Sequence, residues 1–408
     1  MIEDQSLKSF CRFARAACMI ALLGIVAGCA TPPRLGAVPA TQTAGAVVPG
    51  IERARVYVLT DRDPFVDIAE EAFDREQAAF KAAGHSGALP PASYLSISGG
   101  GDNGAFGAGL LVGWTAAGTR PEFKLVTGVS TGALIAPFAF LGAAYDDRLK
   151  SVYTSIKPDD IFENRGLLAG LFSDALADNT PLFGLVAKHA DQQMLDDIAA
   201  EYKKGRILLI GTTNLDAQQP VIWNIGEIAA SNDPKRLEIF HKILVASAAI
   251  PGAFPPVMFD VEADGNPYQE MHVDGGASAQ AFAYPATLNA KKLLAERGVT
   301  RERSLYIIRN ARLDAEWASV ERSTLNIIGR AIASLINSQG IGDLYRMYTQ
   351  SEKDGVNYNL AFIKPEFTEV HKEEFDTAYM RKLFEYGFEQ AKNGYPWRNY
   401  PPGYTPNE

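Results

Sequence analysis

Ser130 is the residue on which chemistry can be built. It stands in Gly128-Val129-Ser130-Thr131-Gly132, between an apolar run from Phe123 to Thr127 and a second from Ala133 to Leu141. Such a Gly-x-Ser-x-Gly turn between a strand and a helix exposes the serine hydroxyl as a nucleophile, with Gly128 and Gly132 giving the bend room. The helix that follows would lay its positive end beside Ser130, and Pro137 within it predicts a kink. A base for the hydroxyl must come from elsewhere. Met271-His272-Val273-Asp274-Gly275-Gly276 reads as a short strand ending in an acid and two glycines. Asp274 there is a candidate active-site carboxylate, although Asp is also a common turn residue. Alternation along the strand points His272 and Asp274 to one face, so a serine, histidine and aspartate triad stays open.

A second glycine turn precedes the serine. The run Tyr94 to Ser98 leads into Gly99-Gly100-Gly101-Asp102-Asn103-Gly104, then into a helix of small residues ending near Gly118. A turn so rich in glycine presents backbone N–H groups to a ligand. Gly99, Gly101 and Gly104 also fit the Gly-x-Gly-x-x-Gly dinucleotide pattern, but that site wants an acid at the end of the next strand, where this chain has its serine turn. Glycines that merely pack a helix on a sheet are the bland alternative. Two strands thus each deliver a glycine-rich turn into a helix, and parallel neighbours would place both turns at one sheet edge.

The remaining elements have to carry these pieces. With 408 residues, 47% hydrophobic and 21% charged, the chain can bury a large core. Its net charge of -9 argues against nucleic acid as a partner and against general attraction to anionic lipid surfaces. A strand at Arg55 to Leu59 and a helix at Pro64 to Ala83 open the domain; a helix from Asp146 to Thr154 follows the serine turn. Asp178-Asn179-Thr180-Pro181 marks a helix start, and Leu167, Leu168, Leu171 and Phe172 either pack the core or cover the site. Strands Arg206 to Asn214 and Pro220 to Ile225 precede a helix from Pro234 to Ala248. The last third alternates helix Ala286 to Arg297, strand Ser304 to Asn310, helix Ser323 to Tyr348, strand Asn357 to Ile363 and helix Glu373 to Lys392, which favours an α/β fold. His85 is expected in solvent, and His189 and His241 in structural positions without metal-ligand spacing.

The amino-terminal end reads as a leader. Lys8, Arg12 and Arg15 precede an apolar run from Ala16 to Ala27 that is short for a membrane span and suits a secretory signal. Val26-Ala27-Gly28-Cys29 resembles a bacterial lipobox. That resemblance implies residues 1–28 as a signal peptide cleaved before a lipid-modified Cys29, with an ordinary cleaved signal or an uncleaved anchor as alternatives. Ala30 after Cys29 implies the outer membrane of a bacterial cell envelope. Residues 29–50, rich in proline, glycine and alanine, are expected as a flexible tether to a domain spanning 51–408. All three cysteines, Cys11, Cys18 and Cys29, lie in or at the end of the leader, leaving none for a disulfide framework or a thiol nucleophile.

Taken together, these stretches resemble the patatin-like phospholipase family of serine acyl hydrolases. The resemblance rests on Gly99 to Gly104, Gly128 to Gly132, Ala246-Ser247-Ala248-Ala249-Ile250-Pro251 with Phe254-Pro255-Pro256, and Asp274-Gly275-Gly276, across about residues 92–290. It implies a three-layer α/β/α fold with a mainly parallel central sheet. It also implies a dyad: Ser130 as nucleophile, Asp274 as the group that takes its proton, and Gly99, Gly100 and Gly101 as the oxyanion loop. The substrate would be a lipid acyl ester, phospholipid or lysophospholipid, cleaved through an acyl-enzyme with no cofactor and no metal; the membrane is met through Cys29, and no protein partner is implied. Family members often carry Arg or Lys before the last glycine of the loop, where this chain has Asn103; backbone donors survive that change and the positive charge does not. A non-catalytic envelope lipoprotein that binds lipid or protein is the alternative from another class.

Overall fold

The computed structural model describes residues 34–58, 62–161, 163–164, 177–285 and 288–404. Its elements in order are β1 (Arg55–Tyr57), α1 (Arg62–Ala82), β2 (Ala92–Ile97), α2 (Gly104–Ala116), β3 (Phe123–Val129), α3 (Thr131–Leu141) and α4 (Asp146–Ser155). The two-residue strands β4 (Glu163–Asn164) and β5 (Ala177–Asp178) come next, then α5 (Thr180–His189), α6 (Gln192–Lys203), β6 (Ile207–Asn214), β7 (Gln219–Asn224), α7 (Ile225–Ala230) and α8 (Arg236–Ser247). The chain continues through β8 (Val257–Ala263), β9 (Asn266–Asp274), α9 (Ala290–Glu296), β10 (Arg303–Arg309), α10 (Thr324–Asp354), β11 (Asn357–Phe362) and α11 (Thr377–Lys392).

One sheet runs in the order β1-β7-β6-β3-β2-β10-β11. Its central run, β6-β3-β2-β10-β11, is parallel throughout. These strands are apolar on both faces, as a parallel sheet covered by helices requires. On one face α2, α3, α8 and α11 share a core with Val126, Ile210 and Ile308. On the other, α10 packs against Leu305, Ile307 and Leu360, and α1 places Phe65 against Leu125 and Leu209. Successive residues of β10 thus feed opposite layers, the period-two signature of a strand buried on both sides. The result is the expected three-layer α/β/α arrangement with a mainly parallel centre. The glycines of α2 have a packing role as well: a Cβ at Gly109 would stand 2.8 Å from the Phe384 carbonyl carbon of α11.

Antiparallel strands extend one side. β7 pairs with β6 and with β1. β9 forms a hairpin with β8 through Asp264-Gly265, both at positive φ, the backbone that a tight hairpin turn demands. The strand ending in Asp274 is therefore longer than the sequence pattern indicates.

Other expectations differ from the structure as well, the helix expected from Ala286 to Arg297 spanning Ala290–Glu296. The described part of the expected tether, residues 34–50, lies on the domain: Val38, Ala46 and Val48 are buried, Val47 bridges Glu262, and Arg34 pairs with Asp216 at 2.7 Å. Apolar residues spaced among the prolines dock this stretch beside β8 and β9. The long carboxy-terminal helix runs on to Asp354, where Gly355 in the left-handed conformation stops it. The helix expected from Glu373 begins at Thr377, capped by Asp376, whose carboxylate accepts the Ala378 and Tyr379 amides.

Candidate active site

The site forms where two strands meet end to end on one edge of β6. That edge pairs in parallel with β3 as far as Val129 opposite Gly211. β7 occupies the other edge. At the next residue, Thr212, β9 takes over the first edge from the opposite direction, with Asp274 opposite Thr212. β3 and β9 thus finish head to head, and the residues at their tips, Ser130 and Asp274, are brought together from distant parts of the chain.

Ser130 has φ 55° and ψ -128°, a backbone that L residues rarely adopt and that costs about 1–3 kcal/mol. Surrounding contacts hold it there. Its amide donates to Ser247 Oγ at 3.0 Å, and that hydroxyl donates to the Gly211 carbonyl at 2.7 Å. Gly132 passes so close to the end of β2 that a Cβ would sit 2.7 Å from the Ser98 carbonyl oxygen. The predicted strand-turn-helix is therefore formed, with α3 starting directly after the serine.

Asp274 is buried, and its carboxyl faces the Ser130 side chain. The Gly276 amide donates to Oδ1 at 2.7 Å, while its own amide donates to the Ala249 carbonyl at 2.9 Å. Burial pushes its pKa up to about 7, against the opposing hydrogen-bond influence of Ser130 and the Gly276 amide. His272 takes no part. Its Nδ1 lies 2.9 Å from Thr212 Oγ1 and its Nε2 3.1 Å from Glu270, with the ring packed on Trp223 and Phe259. Both ring nitrogens are engaged away from the serine, so the triad left open by alternation is not assembled.

Beside this pair runs the loop Gly99 to Gly104, at the same sheet edge because β2 and β3 are parallel neighbours. The Gly99 amide donates to the Gln280 carbonyl at 3.1 Å. Gly99 therefore supplies closeness rather than a free donor: a Cβ there would stand 3.1 Å from the Ser130 Cβ. The amides of Gly100 and Gly101 have no hydrogen-bond acceptor among the described residues. Gly100, at φ 154°, rests on Asn310, where a Cβ would come within 2.8 Å of the Asn310 Cβ. Asn310 is buried and binds Ser98 and Gly107, clamping both ends of the loop.

Side chains of the loop face the carboxy-terminal segment. Asn103 Oδ1 accepts the Tyr379 hydroxyl at 2.6 Å, and Asp102 Oδ2 lies 2.9 Å from His371 Nδ1. Burial lowers the pKa of His371, but the hydrogen bond and charge of Asp102 raise it more. A titratable imidazole thus stands beside the loop that carries Asn103.

Sequence reading passed over His371, Tyr379, Gln280 and Asn310, and gave Ser247 no role. Each acts across long separations in the chain, and the only sequence signal was a polar residue, Asn310, closing an otherwise apolar strand, which does not reveal its partners. Cys29, the leader and Leu167 to Phe172 lie outside the described residues. Among the described residues no cluster of three or more His, Asp or Glu could hold a metal. An apolar pocket under α1, lined by Phe65, Ile68, Leu209 and Leu293, includes neither Ser130 nor Asp274 in its walls.

Comparison with known proteins bears on this arrangement. No curated protein sequence matches the chain. Among solved structures it is similar to VipD from Legionella pneumophila, at 14% identity and a TM-score of 0.36, covering 74% of this chain and 66% of that one. It is also similar to human GIVD cytosolic phospholipase A2, at 8% identity and a TM-score of 0.29, covering 72% of this chain and 51% of that one. This chain therefore spans just under two thirds of the first and about half of the second. Residues 95–287 match the family model Patatin-like phospholipase, a span that holds the glycine loop, the serine turn and Asp274. Over those residues, just under half of its length, the chain carries a patatin-like phospholipase domain.

Proposed function

We propose that the protein cleaves lipid acyl esters, phospholipid or lysophospholipid, with Ser130 as nucleophile and Asp274 as its proton acceptor. The observation that carries this reading is the meeting of Ser130 and Asp274 at the abutting tips of β3 and β9. Ser130 Oγ attacks the ester carbonyl carbon while its proton passes to Asp274. The carbonyl oxygen becomes an oxyanion, for which the Gly100 and Gly101 amides and the start of α3 are the available donors. Collapse expels the alcohol, which takes the proton from Asp274 and leaves an acyl-serine. Water then attacks the acyl carbon as Asp274 takes its proton and returns it to Ser130 Oγ when the acid leaves.

An ordinary carboxylate is a weak base for an alcohol. A pKa raised to about 7 narrows that gap, and burial of the site keeps water scarce. The His371 and Asp102 pair supports a polar or anionic group on the substrate near the loop. The lipobox-like residues ending at Cys29 support attachment to the bacterial envelope, outer membrane rather than inner; absence of incorporated palmitate in the wild type, compared with Cys29→Ala, would remove that part of the reading.

The direct test is covalent labelling by a fluorophosphonate together with turnover of a water-soluble ester. Wild type is expected to label and turn over, and Ser130→Ala to do neither while keeping its circular dichroism spectrum. Full hydrolysis by Ser130→Ala would overturn the assignment.

A further inference from the structure

α10 is much longer than the sheet it covers. Its end is fixed at the start of β10, where Arg303 donates to the Asp354 carbonyl at 2.5 Å. Its middle is fixed at the end of β10, where Arg309 donates to Asn337 Oδ1 at 2.8 Å and Asp343 accepts the Gln280 amide at 2.7 Å. The residues from Thr324 to Ile336 therefore extend past the strand ends, by about 20 Å at 1.5 Å per residue. They do so at the edge that carries Ser130, because β10 and β3 run in the same direction.

This overhang is apolar and, among the described residues, uncovered. Ile327 is 51% exposed, Ile328 50%, Ile332 47% and Leu335 70%, and Trp317 in the lead-in loop is 88% exposed. Ile328, Ile332, Leu335 and Ile336 fall on one arc at helical spacing, with Asn326, Arg330 and Asn337 opposite. Residues 322–342 contain Arg322 and Arg330 and no Asp or Glu, in a chain of net charge -9. The overhang is thus a part of this acidic protein that an anionic or zwitterionic lipid surface does not repel. Ile250 and Val370, also exposed, follow elements that end near the same edge.

We infer that the overhanging half of α10 is an interfacial helix that seats the catalytic edge on a phospholipid surface, with its apolar arc at the headgroup and acyl boundary. Trp317 fits the same boundary through its ring and N–H. This rests on the proposed reaction only for its purpose, because the docking itself needs no turnover. Seated this way, the sheet edge that carries Ser130 faces the lipid layer.

The test uses the chain beginning at Ala30, which keeps every described residue and lacks the leader and Cys29. Co-sedimentation with phosphatidylcholine and phosphatidylglycerol vesicles is measured for this chain carrying Ser130→Ala, with and without Ile328→Glu and Leu335→Glu together. The paired change is expected to weaken vesicle partition by about tenfold or more. In the chain with Ser130 intact, it is expected to leave turnover of p-nitrophenyl butyrate within about twofold, showing an intact fold and site. Unchanged partition with unchanged soluble turnover would overturn the docking inference and leave the hydrolase reading standing. Lost partition in a chain that never turns over the soluble ester would support docking and sink the hydrolase reading. A wild-type dimer in light scattering that the paired change converts to monomer, without loss of vesicle partition, would assign the arc to a second copy and overturn the inference.

Discussion

His272 and Asp274, two residues apart on β9, end in different environments: the imidazole is bonded to Thr212 and Glu270 inside the sheet, while the carboxyl meets Ser130 at its edge. Their substitutions should separate accordingly. Asp274→Asn is expected to lower kcat by about a thousandfold or more, and His272→Gln to keep kcat within a few-fold while lowering Tm. Steady-state turnover of a soluble ester beside a melting curve checks both. Equal losses of kcat would contradict the dyad.

The raised pKa of Asp274 sets the direction of the pH response. Only the ionised carboxylate accepts a proton, so kcat/KM should rise with pH through about 7. The same shift acts on stability. A carboxyl whose folded pKa exceeds its unfolded value stabilises the fold below the unfolded pKa and loses that contribution as pH rises through about 7. Asp274→Asn should therefore gain stability relative to wild type above neutral pH, as read by urea midpoints across the range. A flat activity profile between pH 5 and pH 8, roughly the window in which such a group titrates, would count against the assignment.

At Gly100 a side chain has no space. Its φ of 154° and its seat on Asn310 mean that Gly100→Ala must displace the loop. The expected result is a loss of at least about a hundredfold in kcat with fluorophosphonate labelling slowed in parallel, since the donor geometry moves while Ser130 remains. Labelling at the wild-type rate would show that the Gly100 and Gly101 amides do not face the oxyanion.

Glu270 tests a purely structural claim. Burial alone would raise its pKa, but hydrogen bonds from His272 and Arg55 outweigh this and hold it down to about 2. The stabilisation is present above the unfolded carboxyl pKa and is lost as pH falls through about 2. Glu270→Gln leaves the buried Arg55 guanidinium without its carboxylate and should cost about 3 kcal/mol. A denaturant titration measures this, and turnover per folded molecule should change little.

Much of the site was legible because its parts are local. The serine turn and the glycine loop each declare themselves within a few residues, since a sharp bend beside a helix leaves few choices besides glycine. Asp274 was visible as a strand-end acid, but its partner was not. Residues 272 and 274 look alike to a period-two pattern, and only the neighbours of β9 decide which one reaches the serine. The hairpin partner β8 was missed although Asp264-Gly265 is a strong turn signal. The docking of residues 34–50 was missed because small residues, alanine and glycine, with interspersed proline resemble a linker, while Val38, Ala46 and Val48 do the packing. The clamp at Asn310 and the His371 contact could not be read from the chain, since each joins segments set side by side only by the sheet order.

One strand, β6, fixes where both halves of the candidate site stand, because β3 and β9 butt together along the same side of it. It works as an assembly jig. Swapping an apolar side chain of β6 for another of similar bulk should leave the jig intact, whereas inserting or deleting a single residue between Leu209 and Thr212 would slide the acid past the alcohol and turn the buried side chains beyond it to the wrong layer. Length in this fold can drift at the far tip of the β8–β9 hairpin, around Asp264, and is locked where the ends of β3 and β9 touch.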